Sequence, residues 1–192
     1  MAKTGQSGLD GLVASLPRDG SKGLPPVHLW NPPFCGDIDM RIATDGTWFY
    51  MGTPIGRPAL VRLFASVLKR EGEHYFLVTP VEKVGIKVDD APFLAVELRA
   101  EGGILNFRTN VDEWVAAGPD HALRFEPEEG TGGLKPYLHV RRDLWAKLTR
   151  SLFYELVERG EEQMVDGRAM FGVPSGEEFY AMAEAGALKE FA

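Results

Sequence analysis

The segment DIDMRIATDGTWFYMG (37–52) constrains the fold more than any other stretch of the chain. Ile38, Met40 and Ile42 alternate with polar residues, a period of two that places them on one face of a strand. Asp45-Gly46 follows, a pair that suits the left-handed backbone of a tight hairpin turn. TWFYMG (47–52) then supplies the returning strand. A hairpin with one apolar face needs a cover for that face, and the next segment provides one.

Pro58 suits the first turn of a helix, and Leu60, Val61, Leu63, Phe64, Val67 and Leu68 recur at helical spacing until Gly72. HYFLVTP (74–80) and KVGIKVDD (83–90) read as two more strands, the second with Val84, Ile86 and Val88 inward. The first unit is therefore β-β-α-β-β. Upstream, residues 1–24 are rich in Gly, Ser and Lys and read as a flexible segment, in which Leu9, Leu12, Val13 and Leu16 form one short amphipathic turn. The four prolines of LPPVHLWNPPFCGD (24–37) keep that run extended, with Trp30 and Phe34 as anchors.

Asp89-Asp90 marks a junction, giving domains at 25–89 and 90–192. In the second, FLAVELRAEGGILNFRTN (93–110) gives two strands around Gly102-Gly103. VDEWVAAG (111–118) reads as a short helix or turn. A strand over HALRFEP, a loop over 126–133 and a strand over 136–141 follow. RDLWAKLTRSLFYELVERG (142–160) is the longest helical pattern, with Leu144, Leu148, Leu152, Leu156 and Val157 as its stripe. QMVDGRAMFGVPSG (163–176) reads as a second Asp-Gly hairpin. SGEEFYAMAEAG (175–186) reads as a terminal helix, with Ser175 and Glu178 as a capping box. The fold class is α+β: two small domains, each a curved, mostly antiparallel sheet packed against a helix, with a cleft between them. RLFASVLKREG (62–72) and SLFYELVERG (151–160) form a faint internal echo.

With 21 Lys+Arg against 28 Asp+Glu, the net charge of −7 argues against a broad nucleic-acid surface, though not against a small basic pocket. No apolar run approaches the roughly 18 residues of a membrane span, and the first residues lack the order of a secretory signal. The single cysteine, Cys35, has no intrachain partner. These features together read as a cytoplasmic protein. GTGGLK (130–135) lacks the spacing of a phosphate loop, GVPSG (172–176) is not a nucleophile elbow, and His28, His74, His121 and His139 are scattered. The motifs name no cofactor.

Two side-chain sets carry chemistry. Asp37, Asp39 and Asp45, brought together by the first hairpin, are candidates to hold Mg²⁺; the competing reading is a solvated hairpin face. Arg57, Lys83, Lys87, Arg108 and Asn110 are candidates to converge on an anion, with Asp90 receiving hydrogen bonds at the junction. Three functions stay open on these residues. One is binding of a small anionic or nucleotide-like ligand in the cleft. The others are a metal-dependent enzyme acting on a phosphorylated small molecule, and a protein-interaction module.

The motifs CGD, DGTWFYMGTPIGR, YFLVTPVEK and VDDAPF, followed by YLHVRRDLW, LFYELVERG and GVPSGEEFY, resemble the bacterial family DUF1285 over about 28–182. That resemblance implies a two-domain α+β arrangement with an unusual fold. It also implies a nucleotide-like or other small ligand between the domains, with a signalling role. It supplies no catalytic set.

Overall fold

The computed structural model describes residues 23–188 together with 11, 13, 14 and 16. The expected flexible segment at 1–24, with Leu9 and Leu12, lies largely outside the described residues. The chain divides into two compact units at Asp89/Asp90, with the turn Thr44–Gly46 counted with the second.

After a 3₁₀ turn at Val27–Leu29, the first unit runs β1 (Phe34–Ile42), β2 (Trp48–Tyr50), β3 (Thr53–Pro54), α1 (Pro58–Ser66), β4 (Leu68–Glu71), β5 (His74–Val78) and β6 (Lys83–Val88). Its sheet order is β3-β2-β1-β6-β5-β4. Each half is a three-stranded antiparallel meander, and the halves join through the parallel pair β1–β6. Met40, Ile42, Trp48, Leu68, Leu77 and Val84 are buried with Phe64 and Ala65 of α1. Trp48 and Phe64 stack with centroids 6.3 Å apart. Pro58 opens α1, as its fixed φ and missing N–H favour.

The second unit runs β7 (Phe93–Glu101), β8 (Ile104–Thr109), β9 (Trp114–Ala116), β10 (Leu123–Pro127), β11 (Leu134–Arg141) and β12 (Leu144–Leu148). These form a second six-stranded sheet, β10-β11-β12-β7-β8-β9, with β12 and β7 parallel. The connectivity repeats that of the first sheet: the first strand of one meander lies beside the last strand of the next. Then follow α2 (Arg150–Glu158), β13 (Glu161–Val165), β14 (Arg168–Ser175), β15 (Glu178–Glu184) and α3 (Ala185–Leu188), with β13-β14-β15 as a third sheet. The echoed sequences occupy matching places, since α1 precedes the meander β4-β5-β6 and α2 precedes β13-β14-β15.

The α+β class with two sheet-based domains holds, but the helices are shorter than their patterns. Only 58–66 of the first stripe is helical; Leu68 and its neighbours form β4. In the second, Leu144, Ala146 and Leu148 alternate inward as β12, and Thr149 caps a helix that begins at Arg150. Residues 175–186 are not the expected terminal helix. Gly176, at φ +60°, turns the chain between β14 and β15. Ser175 is buried within a strand, accepting from Leu105 N (3.0 Å) and donating to Ala117 O (2.7 Å). Trp114–Ala116 is a strand rather than a helical turn. The second Asp-Gly hairpin forms, with Asp166 and Gly167 both at positive φ. Among the described residues no helix is long and apolar enough to cross a membrane.

Candidate functional site

The parallel pair at the centre of the first sheet is irregular. Phe34, Asp37 and Arg41 of β1 lie opposite Lys83, Gly85 and Lys87 of β6. β1 therefore advances three and then four residues where β6 advances two each time. These are β-bulges, which re-aim side chains and interrupt a ladder. Gly36 supplies the first, at φ +100°, a conformation that glycine adopts without steric cost. The sequence Cys35-Gly36-Asp37 thereby turns the Asp37 carboxylate across β6. A Cβ built on Gly85 would lie 1.9 Å from Asp37 Oδ1, so the carboxylate occupies the place of the missing side chain.

A hollow of about 330 Å³ opens beside this contact, lined by Asp37, Ile38, Glu73, His74, Gly85 and Lys87, among others. It forms where β6 outruns β5: their last pair is Tyr75 with Ile86, and Lys87 and Val88 continue beyond it. Asp37, Glu73, His74 and Lys87 are exposed, whereas Gly85 is buried as the floor. Among the described residues the Asp37 and Lys87 side chains make no hydrogen bond or ion pair. The neighbouring charge is settled differently. Arg41 Nε donates to both oxygens of Asp89 at 2.9 Å, and Arg41 Nη2 bonds it as well. Those bonds, with lesser help from the Lys87 charge, hold the Asp89 carboxyl below its ordinary value.

The structure thus brings Asp37 and Lys87 into one groove and gives the other candidates separate surroundings. Lys83 pairs with Glu71 at 2.9 Å and lies over the Phe76 ring, 4.9 Å from its centroid. Asp39 is exposed on β1, and Asp45 sits in the turn counted with the second unit. Among the described residues no group of three or more His, Cys, Asp or Glu side chains is placed to hold a metal ion. Arg57 precedes α1 and borders another hollow of the first unit.

The remaining three belong to the second unit. Arg108 pairs with Glu97 (2.7 Å) and Asp112 (3.0 Å), and these bonds raise its guanidinium above its ordinary value. Asn110 is a structural link: its Oδ1 accepts from Leu94 N (3.1 Å) and its Nδ2 donates to Gly46 O (3.4 Å). Asp90 accepts from Tyr137 Oη and Lys147 Nζ, each at 2.7 Å. Burial raises its carboxyl, but the two donors outweigh burial and leave it below its ordinary value. Burial, and then the Asp90 carboxylate, push Tyr137 up. With each carboxylate oxygen engaged by one of its own neighbours, Asp90 reads as a joint that ties the start of the second unit to β11 and β12.

Gly85 and Glu73 escape the sequence reading, and His74 enters it only as one of four scattered histidines. A glycine inside an otherwise alternating strand, KVGIKV, is the available signal, because such a residue marks a bulge or a close approach.

The architecture defines a two-unit α+β protein built on mixed six-stranded sheets of matching connectivity, with a polar groove on the first sheet. The chain belongs to the DUF1285 family. The family's N-terminal domain, described as a domain of unknown function, matches residues 25–91, and its C-terminal domain, described as a protein of unknown function, matches 92–182. A DUF1285 family protein from Silicibacter pomeroyi DSS-3, solved by crystallography, is 51% identical with a TM-score of 0.83, covering 93% of this chain and 98% of that one. One from Shewanella baltica OS155 is 32% identical with a TM-score of 0.51, covering 63% of this chain and 91% of that one. No curated protein matches the chain.

Proposed function

We propose that the protein binds a small polar molecule carrying both an anionic group and a hydrogen-bond donor, and that the groove at Gly85 holds it. One observation carries this reading: the Asp37 carboxylate lies over Gly85 in the same hollow as Lys87, with neither side chain paired among the described residues. Lys87 attracts the anion. Asp37 accepts from an amine or hydroxyl of the same ligand. Two lining carboxylates, Asp37 and Glu73, stand against the one Lys87 ammonium, so a bare anion gains little and a ligand that also brings a donor gains more. Amino acids and nucleotides with an exocyclic amine satisfy both ends. A volume of about 330 Å³ suits such metabolites. A cytoplasmic setting, where the exposed Cys35 thiol stays reduced, and a signalling output belong to the same proposal.

Calorimetric titration with AMP, glutamate and inorganic phosphate tests it. Saturable binding of AMP or glutamate is expected, weakened tenfold or more in Lys87→Ala and in Asp37→Asn, as loss of one charge-assisted hydrogen bond dictates. Absence of saturable binding across the set, or binding unchanged in both variants, overturns the proposal.

A further inference from the structure

We infer that a second hollow of the first unit, at Arg57, is a site for a monocarboxylic acid with an apolar body. It has a volume of about 350 Å³ and is lined by Tyr50, Thr53, Pro54, Ile55, Arg57 and Leu60, together with Gly56. Tyr50, Pro54, Ile55 and Leu60 supply ring and hydrocarbon walls. Arg57 supplies the one ionised group of the lining. It is exposed, and among the described residues its side chain makes no ion pair or hydrogen bond.

A guanidinium presents a planar fork that a carboxylate fills with two parallel hydrogen bonds. The adjoining walls offer the rest of the ligand only the Tyr50 and Thr53 hydroxyls and the local backbone as polar groups, beside the hydrocarbon of Pro54, Ile55 and Leu60. They therefore favour hydrocarbon. Phosphate is a poorer fit, because it brings no apolar body to cover the Pro54, Ile55 and Leu60 surface. Pro58, the first helical residue, also lacks an N–H to offer an oxyanion. A peptide strand is excluded by the same kind of argument. β3 is the edge of its sheet, but it has two residues and one is Pro54, so it cannot extend a backbone ladder. The hollow is preformed: Ile55 N donates to Trp48 O at 2.8 Å, fixing its floor to β2. The charge that Arg57 lacks and the surface the walls leave bare are thus met by one ligand class.

Calorimetric titration of the full chain with octanoate tests this, with acetate as the head without the body and octanol as the body without the charge. Saturable octanoate binding is expected, with acetate and octanol weaker by tenfold or more. Arg57→Ala should weaken octanoate at least tenfold, and Arg57→Glu should abolish binding. Arg57 is solvent-exposed, so both of its variants retain the fold, which circular dichroism checks. Leu60→Asp should also abolish binding; an unfolded Leu60→Asp protein leaves the two Arg57 variants to decide. AMP binding at Gly85 should be unaffected by Arg57→Ala, which separates the two sites. No saturation by about 10 mM octanoate, octanol binding as tightly as octanoate, or octanoate binding indifferent to Arg57→Ala and Arg57→Glu overturns the inference.

Discussion

Gly85→Ala separates the groove from the scaffold. The new Cβ would lie 1.9 Å from Asp37 Oδ1, 3.1 Å from Asp37 Cγ and 3.7 Å from Asp37 Cα. The obstruction is the far end of a side chain that is itself exposed, so Asp37 can swing aside. Displacement from a favoured rotamer costs about 0.5–1.5 kcal/mol. Replacing glycine by alanine at an ordinary backbone conformation returns about 0.4–1 kcal/mol by restricting the unfolded chain. Gly85 is not at positive φ, so this gain applies. The net stability change should stay within about 1 kcal/mol of zero. Ligand binding should fall tenfold or more, because the acceptor has left its place. Urea denaturation measures the first quantity, and calorimetry with AMP or glutamate the second. A loss above about 3 kcal/mol, or undiminished binding, would refute the reasoning.

Three further outcomes follow from the same kind of geometry. Gly172→Ala meets backbone instead, since its Cβ would lie 2.2 Å from Tyr180 O and 2.8 Å from Ala181 Cα; it should cost about 3 kcal/mol or more, read as a lowered urea midpoint or loss of soluble protein. Ser175→Ala strands the buried Leu105 N–H and Ala117 carbonyl and should cost about 2–4 kcal/mol in the same assay. Lys147→Ala removes a partner from Asp90, whose side chain is 18% exposed, and should cost about 2 kcal/mol at neutral pH. The folded Asp90 titrates below its unfolded value of about 4, so its contribution is complete above that pH and is lost as pH falls through the folded value. Acid denaturation of Lys147→Ala should accordingly begin at higher pH than that of the parent; an unchanged acid transition contradicts the role given to Asp90.

The hairpin turns were legible because their chemistry is local. Asp45-Gly46, Gly102-Gly103 and Asp166-Gly167 all mark turns, the last two with both residues at positive φ. Helix length was less legible for a geometric reason. Leu144, Leu148, Leu152 and Leu156 are spaced by four, which suits one helix face and, being even, one strand face as well. The chain uses the first two in β12 and the last two in α2. Ser175-Gly-Glu-Glu178 fits a capping box and a tight turn equally, and the positive φ of Gly176 belongs to the turn. At the site, residue type was readable but partnership was not. Lys83 and Lys87 are four residues apart on β6, yet Glu71 engages one and leaves the other. Arg108 is neutralised by Glu97, eleven residues away in sequence and opposite it in the β7–β8 ladder. Such pairings are set by register, which the spacing of charges along one strand does not reveal.

The most direct measurement is a crystal structure of the protein grown with saturating AMP. The account requires density over Gly85, with an anionic oxygen within hydrogen-bond distance of Lys87 Nζ and the exocyclic amine donating to Asp37. An empty groove at Gly85, with AMP bound elsewhere on the chain, contradicts it.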